Sequence, residues 1–398
     1  MDFDFLNKGF LDDAKGVVGL FRRALESASP PTEELNEIVD SVTTYEHCTK
    51  LENDFSIGAV DGSGEYPLLQ QDDIFLHFYT AARTLYRTES SKQTKLAVDD
   101  TGTELLTGFT LLRDERKTLE EGYENLLQVL IGKSLRELGD ESDYCAVFSS
   151  KKKSIGPGDL IWKNVTMSQA SQLASHAYLI RSLAELGMAI RLLDDRPRYV
   201  LLDTSLVYFF LGERIFLPEL MKRYLTCKAK EQGVSVFGLC KSHNIPNGDL
   251  IGRMVKEKLG LDDHWFVRLK SPSLGEKKPS FLKGKEVPPY LGVSYLFKFH
   301  STSFPMRLDV DAGWWIENIG GDIAKEKRLF EDLDYTCHEV RSYGYPYPIH
   351  AAHRRASLTK QERNAVKDML LQEAKGEGIL RGAFMGERDP EAVHMQGI

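Results

Sequence analysis

Residues 199–210 read YVLLDTSLVYFF, an apolar run rich in β-branched and aromatic side chains and interrupted by a single acid, Asp203. A strand with one wet face alternates apolar and polar positions, and this run does not. It therefore predicts a central strand covered on both faces, the pattern of a sheet layered between helices. Its flanks agree. A helical pattern at 168–193 carries Leu173, Ala177, Ile180, Ala184 and Met188 and stops at Asp194-Asp195-Arg196-Pro197. A second helix is predicted at 218–231 and a second buried strand at 234–239. Helices alternating with strands imply an α/β fold, a mixed sheet flanked by helices.

Around this centre, residues 2–26 have the spacing of an amphipathic helix. Ser29-Pro30-Pro31 breaks it, and a second helix is expected from Thr32 to about Leu51. Residues 1–50 thus form an N-terminal helical segment suited to dimer or partner contact, and 51–398 a single domain. Strand-like residues 55–60 end at Asp61-Gly62-Ser63-Gly64, and 74–86 and 95–99 continue an antiparallel meander. Residues 113–139 are helix-prone, and 149–158 read as a loop with Lys151-Lys152-Lys153. Late strands at 290–300 and 306–310 precede a helix at 314–342. A proline elbow at 343–348 then leads into helix as far as about 373.

Composition excludes several classes. No run of about eighteen apolar residues exists to span a membrane. The opening MDFDFLNKGFLDDAKG lacks the basic and apolar regions of a signal peptide, so a cytoplasmic location is expected. Five scattered cysteines argue against a disulfide framework. Cys240 and His243 have CxxH spacing and Cys337 precedes His338, but no second tight pair completes a zinc site. A net charge of −8 does not exclude nucleic acid, because binding depends on where the cations sit.

The chemistry begins with Asp203. A carboxylate in an apolar strand costs several kcal/mol of desolvation unless a cation accompanies it. Asp61 also sits at the exit of an apolar strand. Should both strands be central, the two acids converge at one sheet edge, where an oxygen-rich set suits magnesium or manganese. Glu185, on the helix before the Asp203 strand, is the candidate third carboxylate; a surface-type pairing with Arg181 one turn back is the alternative. The elbow Gly344-Tyr345-Pro346-Tyr347-Pro348 runs into His350 and His353-Arg354-Arg355. It is expected to bring rings, imidazoles and guanidiniums together near a helix N-terminus, where phosphate binds.

This ordered set resembles the NurA nuclease family: Asp61-Gly62-Ser63, Glu185, Leu201-Leu202-Asp203-Thr204-Ser205, Lys241-Ser242, Phe304-Pro305-Met306-Arg307-Leu308-Asp309 and the elbow through Arg355. The resemblance covers roughly 50–360 and implies an RNase H-like nuclease domain. It implies a homodimer docked on a hexameric HerA-type ATPase and manganese-dependent cleavage of DNA, endonucleolytic and 5′–3′ exonucleolytic, in end resection, repair or defence. Asp61, Glu185, Asp203 and His353 would hold Mn2+ or Mg2+, as two ions. Tyr345 and His353 would complete the catalytic set, and Lys241, Arg354 and Arg355 would meet the nucleic acid. Thr204 stands where the family commonly has glycine. The rival readings are an inactive scaffold subunit of such a complex and an actin-like or sugar-kinase-like phosphotransferase. The second needs a glycine-rich adenosine site, for which only Gly320-Gly321 offers itself.

Overall fold

The computed structural model describes residues 33–64, 69–71, 74–89, 96–113, 116–141, 170–206, 217–241, 245, 247–269, 292–338 and 342–377. The predicted helix at 2–26 and the lysines at 151–153 lie outside them. Ten strands form one sheet. At its centre, β2 (Ser56–Ser63) pairs parallel with β6 (Tyr199–Leu202), and β6 pairs parallel with β7 (Ser235–Cys240). On the other side of β2, β4 (Ile74–Thr88) and β5 (Leu96–Arg113) run as the antiparallel meander, with β3 (Leu69–Gln71) continuing the line of β2 along β4. Beyond β7 the order is β10 (Met306–Val310), β9 (Val293–Lys298), β8 (Trp265–Arg268) and β1 (Thr43–Thr44), each antiparallel to its neighbour. The expected mixed sheet flanked by helices is therefore present.

Helices cover both faces. Along β2 the pleat sends Gly58, Val60 and Gly62 to one side and Ile57, Ala59 and Asp61 to the other. The first side packs under α4 (Ala170–Leu192), with α2 (Arg116–Ile131) and α5 (Leu217–Gln232) completing the core. The second packs under α8 (Ile323–Tyr335) and α9 (Tyr347–Ala356). Of residues 1–50, the described part is tied to the sheet. There α1 (Glu33–Asp40) buries Leu35 and Val39 against α6 (Gly248–Leu259), and β1 extends the edge.

Several element boundaries differ from expectation. The helix from Thr32 ends at Asp40, because Val42-Thr43-Thr44 is drawn into pairing with β8. The strand read through 199–210 stops at Leu202, and Asp203 lies just past its end. The 113–139 helix divides at Gly132, which has φ 66°, into α2 and α3 (Leu135–Glu141). The 314–342 helix divides into α7 (Ala312–Asn318) and α8, because Gly320 and Gly321 take the left-handed turn between them. The last helix also divides. After α9, α10 (Lys360–Gly376) restarts on a Thr359–Glu362 capping box. Among the described residues, no helix is long and apolar enough to cross a membrane.

Candidate active site

The site sits where the carboxyl ends of the parallel strands β2 and β6 meet α9. Two threonines on β4 decide where that helix lies. Thr84 Oγ1 donates to the Pro348 carbonyl at 2.9 Å and Thr80 Oγ1 to the Ala356 carbonyl at 2.6 Å, so each end of α9 is anchored. Helical spacing then puts His353 over the end of β2, with its Nδ1 2.6 Å from Asp61 Oδ2. Asp61 is fully buried, whereas half of the His353 side chain is exposed. The buried acid thus orients the ring and leaves Nε2 toward solvent, near Ser357 Oγ at 3.4 Å.

The other oxygen of Asp61 accepts from the Gly62 amide at 2.7 Å and from Arg181 Nη2 at 3.4 Å. Glu185 reaches the same place from α4. Its Oε1 accepts from the Gly62 amide at 3.1 Å and from Arg181 Nε at 2.8 Å. This approach requires a glycine, since a Cβ on residue 62 would stand 2.6 Å from Glu185 Cγ. Burial above all, then the charges of Asp61 and Asp203, drive the Glu185 carboxyl up to about 8 against the pull of Arg181. Both sequence readings of Glu185 are thus realised: it pairs with Arg181 and lies beside Asp61.

Asp203 joins from the turn after β6. That turn lies directly on β7, where a Cβ at Gly238 would meet the Thr204 carbonyl oxygen at 2.4 Å. It is fixed from β10 by the fully buried Asp309, whose Oδ2 accepts from Ser205 Oγ at 2.6 Å and from the Leu206 amide at 3.2 Å. Lys241 Nζ lies 3.4 Å from Asp203 Oδ2 and 4.2 Å from the centre of the Tyr345 ring. Burial, and then the nearby Asp61, raise the Asp203 carboxyl despite Lys241. Burial also lifts the Tyr345 phenol well above its ordinary value, with Asp203 and Asp61 adding to it, so the hydroxyl keeps its proton.

One donor atom each from Asp61, Asp203 and His353 lies within 4.8 Å of the other two. A buried and a partly buried carboxylate with an imidazole this close fit a divalent cation, which would relieve the repulsion between Asp61 and Asp203. Glu185 stands behind them, joined through Arg181. Arg354 and Arg355 follow His353 into the last turn of α9 and are exposed. They do not lie near a helix N-terminus as expected, because the helix begins at Tyr347 and is only ten residues long. Sequence reasoning assigned no role to Asp309, although it closes the Phe304–Asp309 segment of the ordered set; its Arg-x-Asp in an otherwise apolar β10 was the local signal. Of the sequence candidates for zinc, His243 lies outside the described residues, and the Cys337 thiol is spent on the Leu333 carbonyl at 3.3 Å.

No protein-family model matches the sequence, and no curated protein does. Solved structures of similar chain path include the NurA nuclease from Sulfolobus solfataricus, at 12% identity over 94% of this chain and 98% of that one, with a TM-score of 0.48. NurA bound to dAMP and manganese aligns at 12% identity over 92% and 97%, with a TM-score of 0.39. Endonuclease V of Ciona intestinalis, in complex with a DNA containing an inosine followed by a ribo-adenosine, aligns at 11% over 84% and 96%, with a TM-score of 0.31.

Proposed function

We propose that this chain is a metal-dependent deoxyribonuclease, a phosphodiester hydrolase holding Mn2+ or Mg2+ between Asp61, Asp203 and His353, with Glu185 supporting a second ion. The observation that carries the reading is the convergence of those three donor sets within 4.8 Å at one sheet edge. Bound there, divalent ions would lower the pKa of water and neutralise charge on the scissile phosphate. The chain's own groups supply the rest. Tyr345, its protonated hydroxyl buried, positions Lys241 over its ring, and Lys241, released from Asp203, offers a cation to a phosphate oxygen. With the ion held at Nδ1 beside Asp61, the His353 ring would carry its proton on Nε2 and donate it as a hydrogen bond to the leaving oxygen. Arg354 and Arg355 hold the flanking phosphates of a DNA strand.

We extend the proposal to a homodimer that works with a hexameric HerA-type ATPase, with endonucleolytic and 5′–3′ exonucleolytic cleavage, in DNA end processing or defence against foreign DNA. Residues 1–26 are the proposed contact to the ATPase. The deciding experiment incubates end-labelled single- and double-stranded DNA with the full chain, with and without manganese and the ATPase. Manganese-dependent cleavage should occur and should vanish in Asp61→Ala and Asp203→Ala, both retaining the far-UV spectrum of the parent. Parent protein that cuts no DNA under any of these conditions overturns the reading in favour of a scaffold subunit; unchanged cleavage by both variants removes the site.

A further inference from the structure

A second cluster of metal-ligating side chains lies where the end of β1, the start of β8 and the end of α8 meet. Asp334, in the last turn of α8, is fully buried, and among the described residues its charge partners are imidazoles only. His47 Nδ1 lies 2.7 Å from its Oδ2, and His338 Nε2 lies 2.7 Å from its Oδ1. His264 completes the set from the residue before β8, with Nε2 3.8 Å from Asp334 Oδ1.

His264 decides what the cluster is for. Its Nδ1 faces Asp263 Oδ1 at 3.0 Å. Nε2 is buried and has no hydrogen-bond partner among the described residues. It faces Asp334 Oδ1 at 3.8 Å, beyond hydrogen-bond reach, a separation that a cation bonded to both atoms would span. A carboxylate on the outer nitrogen of a histidine is also how metal-bound imidazoles are oriented. His264 takes this pose at φ 52°, in the left-handed region that histidine enters more readily than most side chains. The His47 and His338 ring centres stand 3.9 Å apart, so that one nitrogen of each reaches the same Asp334 carboxylate.

We infer that His47, His264, His338 and Asp334 bind one zinc ion in a closed, four-coordinate structural site. Ligands at about 2.0–2.1 Å from zinc stand about 3.3 Å from one another in a tetrahedron. The observed separations from Asp334, 2.7 to 3.8 Å, bracket that edge. Three imidazoles and one carboxylate, without a thiolate, suit zinc and leave no position for substrate. Loading requires the ring proton of His47 to sit on Nε2 and that of His338 on Nδ1, with any second proton released to solvent, and joins residues 47, 264 and 334–338 by one bond network. The site uses none of Asp61, Asp203 or His353, so it stands whether or not the chain is a nuclease.

The test begins with full-length Asp61→Ala/Asp203→Ala protein, which removes the other acidic site. It should carry about one zinc per chain after dialysis against buffer, measured by mass spectrometry of the metal. Cobalt exchanged into the same protein should give the intense visible absorption of a tetrahedral ion. His264→Gln and His338→Gln should each bring retained zinc below about a tenth of an ion per chain. Zinc retention that survives both substitutions would overturn the assignment. So would failure of this background to bind zinc in titration, or a cobalt spectrum of six-coordinate type only.

Discussion

Arg181 reaches two buried acids, Glu185 and Asp61, and Arg181→Met isolates its contribution. The substitution keeps the stem and removes contacts of 2.8 Å to Glu185 and 3.4 Å to Asp61. Breaking one partner out of a fully buried pair costs about 3–5 kcal/mol. With 34% of the Arg181 side chain exposed, about half of that is expected, near 2 kcal/mol. For 398 residues the unfolding entropy is about 0.8 kcal/mol per kelvin, so the melting temperature should fall by about 2–3 °C. The loss should depend on pH. The folded Glu185 carboxyl, at about 8, lies above its unfolded value, so its contribution is present at low pH and lost as pH rises through about 8. Scanning fluorimetry in EDTA should therefore show the larger deficit at pH 8.5 and a smaller one at pH 6. Millimolar manganese should recover most of the deficit at pH 8.5, because the ion replaces the missing charge. Melting indistinguishable from the parent at pH 8.5, or a deficit that manganese leaves untouched, would refute the reasoning.

Two further perturbations bear on the frame. Thr80→Val with Thr84→Val leaves the Ala356 and Pro348 carbonyls without their donors, at about 1–3 kcal/mol each. His353 should then lose its register over Asp61, so its imidazole NMR resonances should move at fixed pH; unchanged resonances would remove β4 as the positioning element. His77 is buried without a hydrogen-bond partner among the described residues, and burial, with His176 nearby, holds it down at about 4. Its folded value lies below the unfolded one, so stability is full above about 6.5 and falls by up to about 3 kcal/mol as pH drops toward 4. His77→Phe should flatten that slope in urea titrations, and an equally steep slope would assign it to other groups.

The parts of the site that were legible in the sequence are those written in local patterns. Asp61 follows an apolar strand and precedes Gly-Ser-Gly, and alternating prolines mark the start of α9. The end of β6 was illegible. Its apolar run continues past Leu202, and what ends the strand is Asp309, a side chain 104 residues away that captures Ser205. The length of β5 was hidden for another reason. Its paired ribbon with β4 exposes Val98, Phe109 and Leu111, so burial does not impose a clean alternation there. The imidazole cluster eluded spacing arguments because its ligands come from three separate elements. Only Asp334 and His338 lie close in sequence, and His338 stands just past the end of α8.

The contact between Asp61 and His353 spans 292 positions of the chain. Synthesis at about 5–20 residues per second leaves the β2 acid without its histidine for roughly 15–60 s. During that interval Thr80 and Thr84 also wait for the helix they hold, which comes 276 and 264 residues later. Contacts of such long range close slowly and late. A chain emerging from the ribosome thus carries its two aspartates in an incomplete constellation, and competence to react is conferred as one of the late steps of folding.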